Sequence, residues 1–211
     1  TVEETTEELS DVTPLAAVPE DTPIVNDWVL GDFIYDGNKV LGFSASGLEK
    51  LKTQKNLVLP HLNPADGTPI DTVGENPDDA TAFRSKGLVT LTDYADNIRV
   101  IEGRYSATSS AGRSKGEFKG NQLNSVQLDG LEIIGPYSFN GNKSLKEISF
   151  PNVVEVGASS FSSGVLVAID AEDLPKLETV GDGAFNNNLI TEFNLPTLRR
   201  LENTSSSVIT A

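Results

Sequence analysis

Two stretches of the chain align without a gap. "LNSVQLDGLEIIGPYSF" (123–139) and "LKEISFPNVVEVGASSF" (145–161) are offset by 22 residues. Leu123, Val126, Leu128, Leu131, Ile134, Gly135 and Phe139 fall on Leu145, Ile148, Phe150, Val153, Val156, Gly157 and Phe161. A third copy, "LVAIDAEDLPKLETVGDGAF" (166–185), keeps Leu166, Ile169, Ala171, Leu177, Val180, Gly181 and Phe185 with three extra residues. A fourth continues through Ile190, Phe193, Leu195, Leu198 and Leu201, with Glu202 in place of the glycine and Ser206 in place of the phenylalanine. Upstream the pattern is stretched: Leu57, Leu59, Ile70, Val73, Gly74 and Phe83, then Leu88, Leu91, Ile98, Ile101 and Phe118.

This spacing fits neither a plain helix nor a plain strand. A period of about 20–29 residues with L-x-x-L-x-L spacing marks a leucine-rich repeat solenoid. One coil cannot bury its own apolar side, so neighbours must stack. The x-Ile-x-Phe portion is expected as a short strand with alternate residues inward, and the second apolar pair on the return side. Gly135, Gly157 and Gly181 are expected to let the backbone turn sharply. The phenylalanine should close each coil and stack on the next, contributing about 1.5–3 kcal/mol when buried. The expected fold class is an α/β-type solenoid: a leucine-rich repeat stack with short parallel strands, an N-terminal β-hairpin cap and few helices.

Three regions follow. Residues 1–27 hold eight acids and no Lys or Arg, the composition of a disordered leader; folding on a partner is the other reading. Residues 28–56 carry two β-rich runs around Asp36-Gly37-Asn38, a hairpin signal, and then a short helix. With Trp28, Phe33, Tyr35 and Phe43 they form a cap, or alternatively an aromatic ligand platform. Residues 57–211 are the solenoid, with a basic Gly/Ser-rich insertion at 103–117.

Composition narrows the function. The net charge is −15, the wrong sign for a nucleic-acid binder or for anionic lipid. No apolar run approaches the roughly 18–20 residues of a membrane span. There is no cysteine, hence no disulfide or thiolate chemistry, although export does not require either. The chain begins at Thr1, as expected of a mature or trimmed chain. His61 is the only histidine and has no partner for a zinc site or obvious serine for a triad. The acidic run around Asp66, Asp71, Glu75, Asp78 and Asp79 lacks EF-hand spacing and reads as a solvated loop. No enzyme, metal or cofactor is expected.

Two surfaces remain as binding candidates. Insertions map to loops on one face of a solenoid, so Arg104, Tyr105, Arg113 and Lys115 are candidates for an acidic partner. The other reading of this insertion is a flexible loop complementing the protein's own acidic surface. The strand face presents Gln127, Glu147, Ser149, Asp170 and Asn194, short polar side chains suited to hydrogen bonding or to plain solubility.

The pattern L-x-x-I-x-F-P-x-x-V-x-x-V-G-x-x-x-F, seen in "ISFPNVVEVGASSF" (148–161) and "VGDGAF" (180–185), resembles the BspA-like (Treponema-type) leucine-rich repeats of bacterial surface proteins. The segment 32–60 resembles a module that precedes such repeats in Gram-positive surface proteins. The resemblance implies export, a place on the cell surface or cell wall, and adhesion or binding of a host extracellular protein or glycan. It implies no catalytic residues. The expected form is a monomer, and the alternative role is a structural spacer of a larger cell-wall protein.

Overall fold

A computed structural model describes residues 16–105 and 115–202. The coils stack in chain order, and their longest continuous feature is an eight-stranded sheet on the return side. It opens with the hairpin Phe33–Asp36 and Lys39–Phe43, which pair antiparallel. Six two-residue strands then add in parallel: Thr72–Val73, Val100–Ile101, Ile133–Ile134, Glu155–Val156, Thr179–Val180 and Arg200–Leu201. The opposite face carries Asn56–Val58, Thr90–Thr92 and Ser125–Gln127 in one parallel sheet, and Ala168–Ile169 with Glu192–Phe193 in another.

The expected strand at Ile148–Phe150 is absent, and the main sheet lies on the side expected to be only the return. The cause is how closely the backbones approach. After each return strand the next amide donates to the previous coil: Gly135 N to Ile101 O, Gly157 N to Ile134 O, Gly181 N to Val156 O, each at 2.7 Å. A Cβ on these glycines would lie 2.6, 2.7 and 2.4 Å from the neighbouring backbone. Their role is therefore contact distance, which corrects the expectation of a turn. The left-handed turns fall two residues later, at Tyr137, Ser159 and Gly183, with φ of 60°, 55° and 60°.

A second left-handed corner recurs two residues after each phenylalanine, at Ser85, Gly120, Gly141, Ser163 and Asn187. At three of these five corners the next position is a buried asparagine, Asn121, Asn142 or Asn188; Lys86 and Gly164 stand there at the other two. Asn142 Nδ2 donates to Phe118 O and Phe139 O, and its Oδ1 accepts from Leu123 N. Asn121 and Asn188 do the same on their own coils. These amides satisfy main-chain groups that the corner would otherwise bury unpaired. This Phe-x-x-Asn ladder is legible as spacing but was not among the sequence expectations.

The phenylalanines stack as expected. Phe83, Phe118, Phe139, Phe161 and Phe185 follow one another with ring centroids 5.5, 5.7, 5.2 and 5.6 Å apart. In the third unit Leu174, not Ala171, is fully buried. The three-residue extension is taken up in the turn Asp170–Asp173, which delivers Leu174 to the core.

At the N-terminal end Phe33 and Phe43 pack on Phe83, and Trp28 packs on Phe33 and Phe43. All three are buried, so they close the core and offer no open platform. The short helix Ala45–Lys50 is capped by Ser44 Oγ, which accepts from Gly47 N, and Lys50 pairs with buried Asp32. Residues 16–27, expected within the leader, are placed against this cap: Val18 N donates to Pro64 O, Leu30 N to Thr22 O and Gly31 N to Glu20 O. Main-chain pairing and the packing of Ile24 on the core outweigh the segment's acidic composition. The leader's other residues, 1–15, lie outside the described residues.

Two substitutions test this packing. Phe161→Ala removes a ring that is 2% exposed and should cost about 3–5 kcal/mol in denaturant unfolding. Gly157→Ala places a methyl group against Pro136 N and should cost about 1–3 kcal/mol; unchanged stability would mean that the close approach is not required.

Candidate functional site

The insertion is held at its base by Gly103–Arg104 paired antiparallel with Lys115–Gly116. Its two described cations are engaged inside the molecule. Arg104 Nη2 lies 2.5 Å from Glu75 Oε1. Lys115 Nζ donates to Pro77 O at 2.8 Å and lies 3.2 Å from Asp79. Tyr105 is half-exposed and stacks on Tyr137, 6.3 Å between centroids, with Lys119 over the Tyr137 ring. Arg113 lies outside the described residues.

Beneath the insertion, Arg84 reaches Asp79 with Nη2 at 2.5 Å and Nε at 2.7 Å, and donates to Asn76 O at 2.6 Å. Its Nη1 meets the fully buried Glu117 only at 3.3 and 3.4 Å. Burial pushes the Glu117 carboxyl up to about 8, against the lowering effect of Arg84 and the Asn76 N–H. The short contacts to Asp79 and the long ones to Glu117 agree with a neutral carboxyl at pH 7 and a guanidinium balanced by Asp79.

The acids at 66–79 do not converge on one point. Asp66 accepts from Thr68 N, Asp71 from Asn38 Nδ2 and Thr72 Oγ1, and Asp78 from Ala80 N. His61 is a half-buried loop residue whose carbonyl accepts from Ile70 N. Among the described residues no group of three or more His, Asp or Glu is arranged to hold a metal ion.

The strand face has a different character. No main-chain hydrogen bond joins Ser125–Gln127 to Glu147–Ser149. Phe150 N donates instead to Asp173 O at 2.8 Å, on the following coil. The missing ladder leaves a groove of about 500 Å³. Its floor is Val126, Ile148, Val167 and Ala168; its polar rim holds Glu147, Ser149, Asp170 and Asp173. Three of the five strand-face candidates, Glu147, Ser149 and Asp170, come together here. Gln127 and Asn194 are exposed on the same face but do not line it.

Asp173 and Val167 line the groove without having been singled out in the sequence. The signal for Asp173 was the three-residue extension of the third repeat. Its turn is built from carboxylates: Asp170 Oδ1 accepts from Glu172 N and Asp173 N, and Asp173 Oδ2 accepts from Asp170 N. Burial and then the charges of Asp170, Glu147 and Glu172 hold the Asp173 carboxyl above the usual aspartate range, although its bond from Asp170 N acts the other way.

A stack of parallel-stranded coils closed by a phenylalanine ladder is a solenoid of the leucine-rich repeat class. Residues 114–209 match the family model of the BspA type leucine-rich repeat region, in six copies. Within these residues the coils are repeats of this type. The matched stretch holds the more regular coils, and most of the stretched upstream units lie outside it. No curated protein and no solved structure matches the chain. Leucine-rich repeat domains generally mediate protein binding or adhesion, and the BspA type is associated with bacterial surface proteins. No helix among the described residues is long and apolar enough to cross a membrane.

Glu117 sets a pH dependence. Its folded value is raised, so between about 4.5 and about 8 the native state holds a proton that the unfolded chain has released. Its contribution to stability is fully present below about pH 4.5 and is lost as pH rises to about 8. The stability difference between the unsubstituted protein and Glu117→Gln should therefore shift steadily against the former across this window. A difference that stays flat would mean that Glu117 is ionised throughout.

Proposed function

We propose that this chain is a non-enzymatic binding module displayed at a bacterial cell surface, and that it engages an extracellular protein or glycan through its strand face. The observation that carries this reading is the groove between the coils at Ser125, Ile148 and Ala168. It is open, has an apolar floor, and gathers polar side chains with no structural partner across the stack. At the insertion, by contrast, Arg104 and Lys115 are already paired with Glu75 and Asp79. A repeat stack suits the role because its coils present one extended rigid surface.

The test is capture of matrix proteins, serum proteins and glycans by the full chain, repeated with two variants. Ser149→Trp fills the groove from an exposed position and should weaken binding by about tenfold or more with thermal stability unchanged. Replacing 106–114 by a short Gly-Ser linker should leave affinity within about threefold. Loss of binding on the loop replacement alone would move the site to the insertion. Absence of any ligand would favour a spacer that projects another domain.

A further inference from the structure

The strand-face groove carries information about the chemistry of its occupant. None of the ion pairs among the described residues includes Glu147, Asp170, Glu172 or Asp173. Lys146, next in the chain to Glu147, pairs with none of them. Elsewhere the protein neutralises its carboxylates where they crowd: Glu75, Asp79 and Glu102 each face a Lys or Arg. At the groove the carboxylates are left without a cationic partner; burial first, and then the charges of Asp170, Glu147 and Glu172, raise the Asp173 carboxyl.

Two further observations have nothing to do with charge. The floor is apolar, and Val167 is 42% exposed. The ladder is interrupted here, so the amides and carbonyls of Glu147–Ser149 are free of main-chain partners on the neighbouring strand Ser125–Gln127. A sugar would use hydroxyl donors but would leave the net negative charge uncompensated. A polypeptide segment supplies all three needs at once: cationic side chains for the rim, apolar side chains for the floor, and main-chain groups for the interrupted ladder.

We infer that the groove lined by Glu147, Asp170 and Asp173 docks a basic polypeptide segment in which Lys or Arg alternates with small apolar residues. This rests on the strand face being the binding surface and names the class of its partner. In an extended segment alternate side chains point to opposite sides, so the basic residues meet the carboxylate rim while the apolar ones sit on Val126 and Val167. Attraction between a −15 protein and a cationic segment also speeds encounter and weakens with salt.

The experiment titrates the full chain with a synthetic peptide of about eight residues alternating Lys and Val, and with its Glu–Val counterpart, at about 50 mM and about 300 mM NaCl. The triple variant Glu147→Gln, Asp170→Asn, Asp173→Asn keeps the acceptor oxygens of the Asp170–Asp173 turn. A control, Glu49→Gln, Asp129→Asn, Glu155→Gln, removes the same charge from exposed sites outside the groove.

The expected result is binding of the Lys–Val peptide only, weakened about tenfold or more by the groove variant, and within about threefold by the control. Equal weakening by both variants would reduce the effect to net charge and overturn the proposal, as would no binding at low salt. The strand-face reading fails separately. If Ser149→Trp abolishes capture of an extracellular ligand while the groove charge variant does not, the surface is right and the cationic partner is wrong.

Discussion

Every coil of this protein is fixed by the distance at which its return strand meets the one before it. Two residues of strand per coil make a weak ladder. At Gly135, Gly157 and Gly181 the glycine that follows lets the next backbone close to 2.7 Å, where a Cβ would collide; Glu102 and Glu202 hold the same place in their coils with amide bonds of 2.9 and 2.8 Å. Once that spacing is set, the phenylalanines one corner later have little freedom but to stack between 5.2 and 5.7 Å apart. The buried asparagines then complete the corner by occupying the main-chain groups that the turn leaves over. Apolar burial, close backbone contact and side-chain amides thus act on the same repeat at three positions, and a defect at one would be transmitted only to adjacent coils.

Holding the stack on one side has a consequence for the other. A ladder keeps strands at the roughly 4.7–4.9 Å spacing of a sheet, but the far face of a coil is not bound by it. There the strands fall into two separate sheets, with the unit at 145–150 between them. Nothing in the core suffers, since Ile148 and Phe150 remain buried. What is lost is a set of main-chain bonds on the surface, and what is gained is a groove. On the proposed function, stability and recognition fall on opposite faces of the same coil.

The repeat, its phase and its phenylalanine stack were legible in the sequence because each rests on large apolar side chains at fixed spacing, from Leu123 to Phe185. The strand positions were not. Val156 and Ile148 are both buried β-branched residues in short apolar runs, and periodicity alone does not tell which run will find a partner strand. The glycines were assigned a conformational role because that is the commoner reason for glycine, whereas the contacts of Gly157 with Pro136 and of Gly181 with Ala158 depend on the preceding coil. Residues 16–27 read as leader because their acids set the average, while Ile24 and the main chain of Thr22 do the packing. Of the candidate site, Glu147, Ser149 and Asp170 were visible as outward positions of a repeat. Asp173 was not, since it belongs to the residues that break the repeat.

That break also shows how a solenoid acquires a local feature without losing its core. The extension in the third unit could have been a loop that leaves the coil and returns. Instead Leu174 takes the apolar position that Ala171 would have filled too weakly, and Phe150 N bonds to Asp173 O across the coil boundary. The same three residues that repair the core therefore draw Phe150 away from a strand partner and set carboxylates on the rim. The insertion at 103–117 follows the opposite course. Its base is tied down by Glu75 and Asp79, and its described charges are spent on attachment. Two departures from one repeat thus have different physical outcomes: one is neutralised by the protein itself, and the other leaves its charge unpaired on an open surface. On the proposed function, the unpaired charge, rather than the paired Arg104 and Lys115 at the base of the basic insertion, is what has interaction energy left to give a partner.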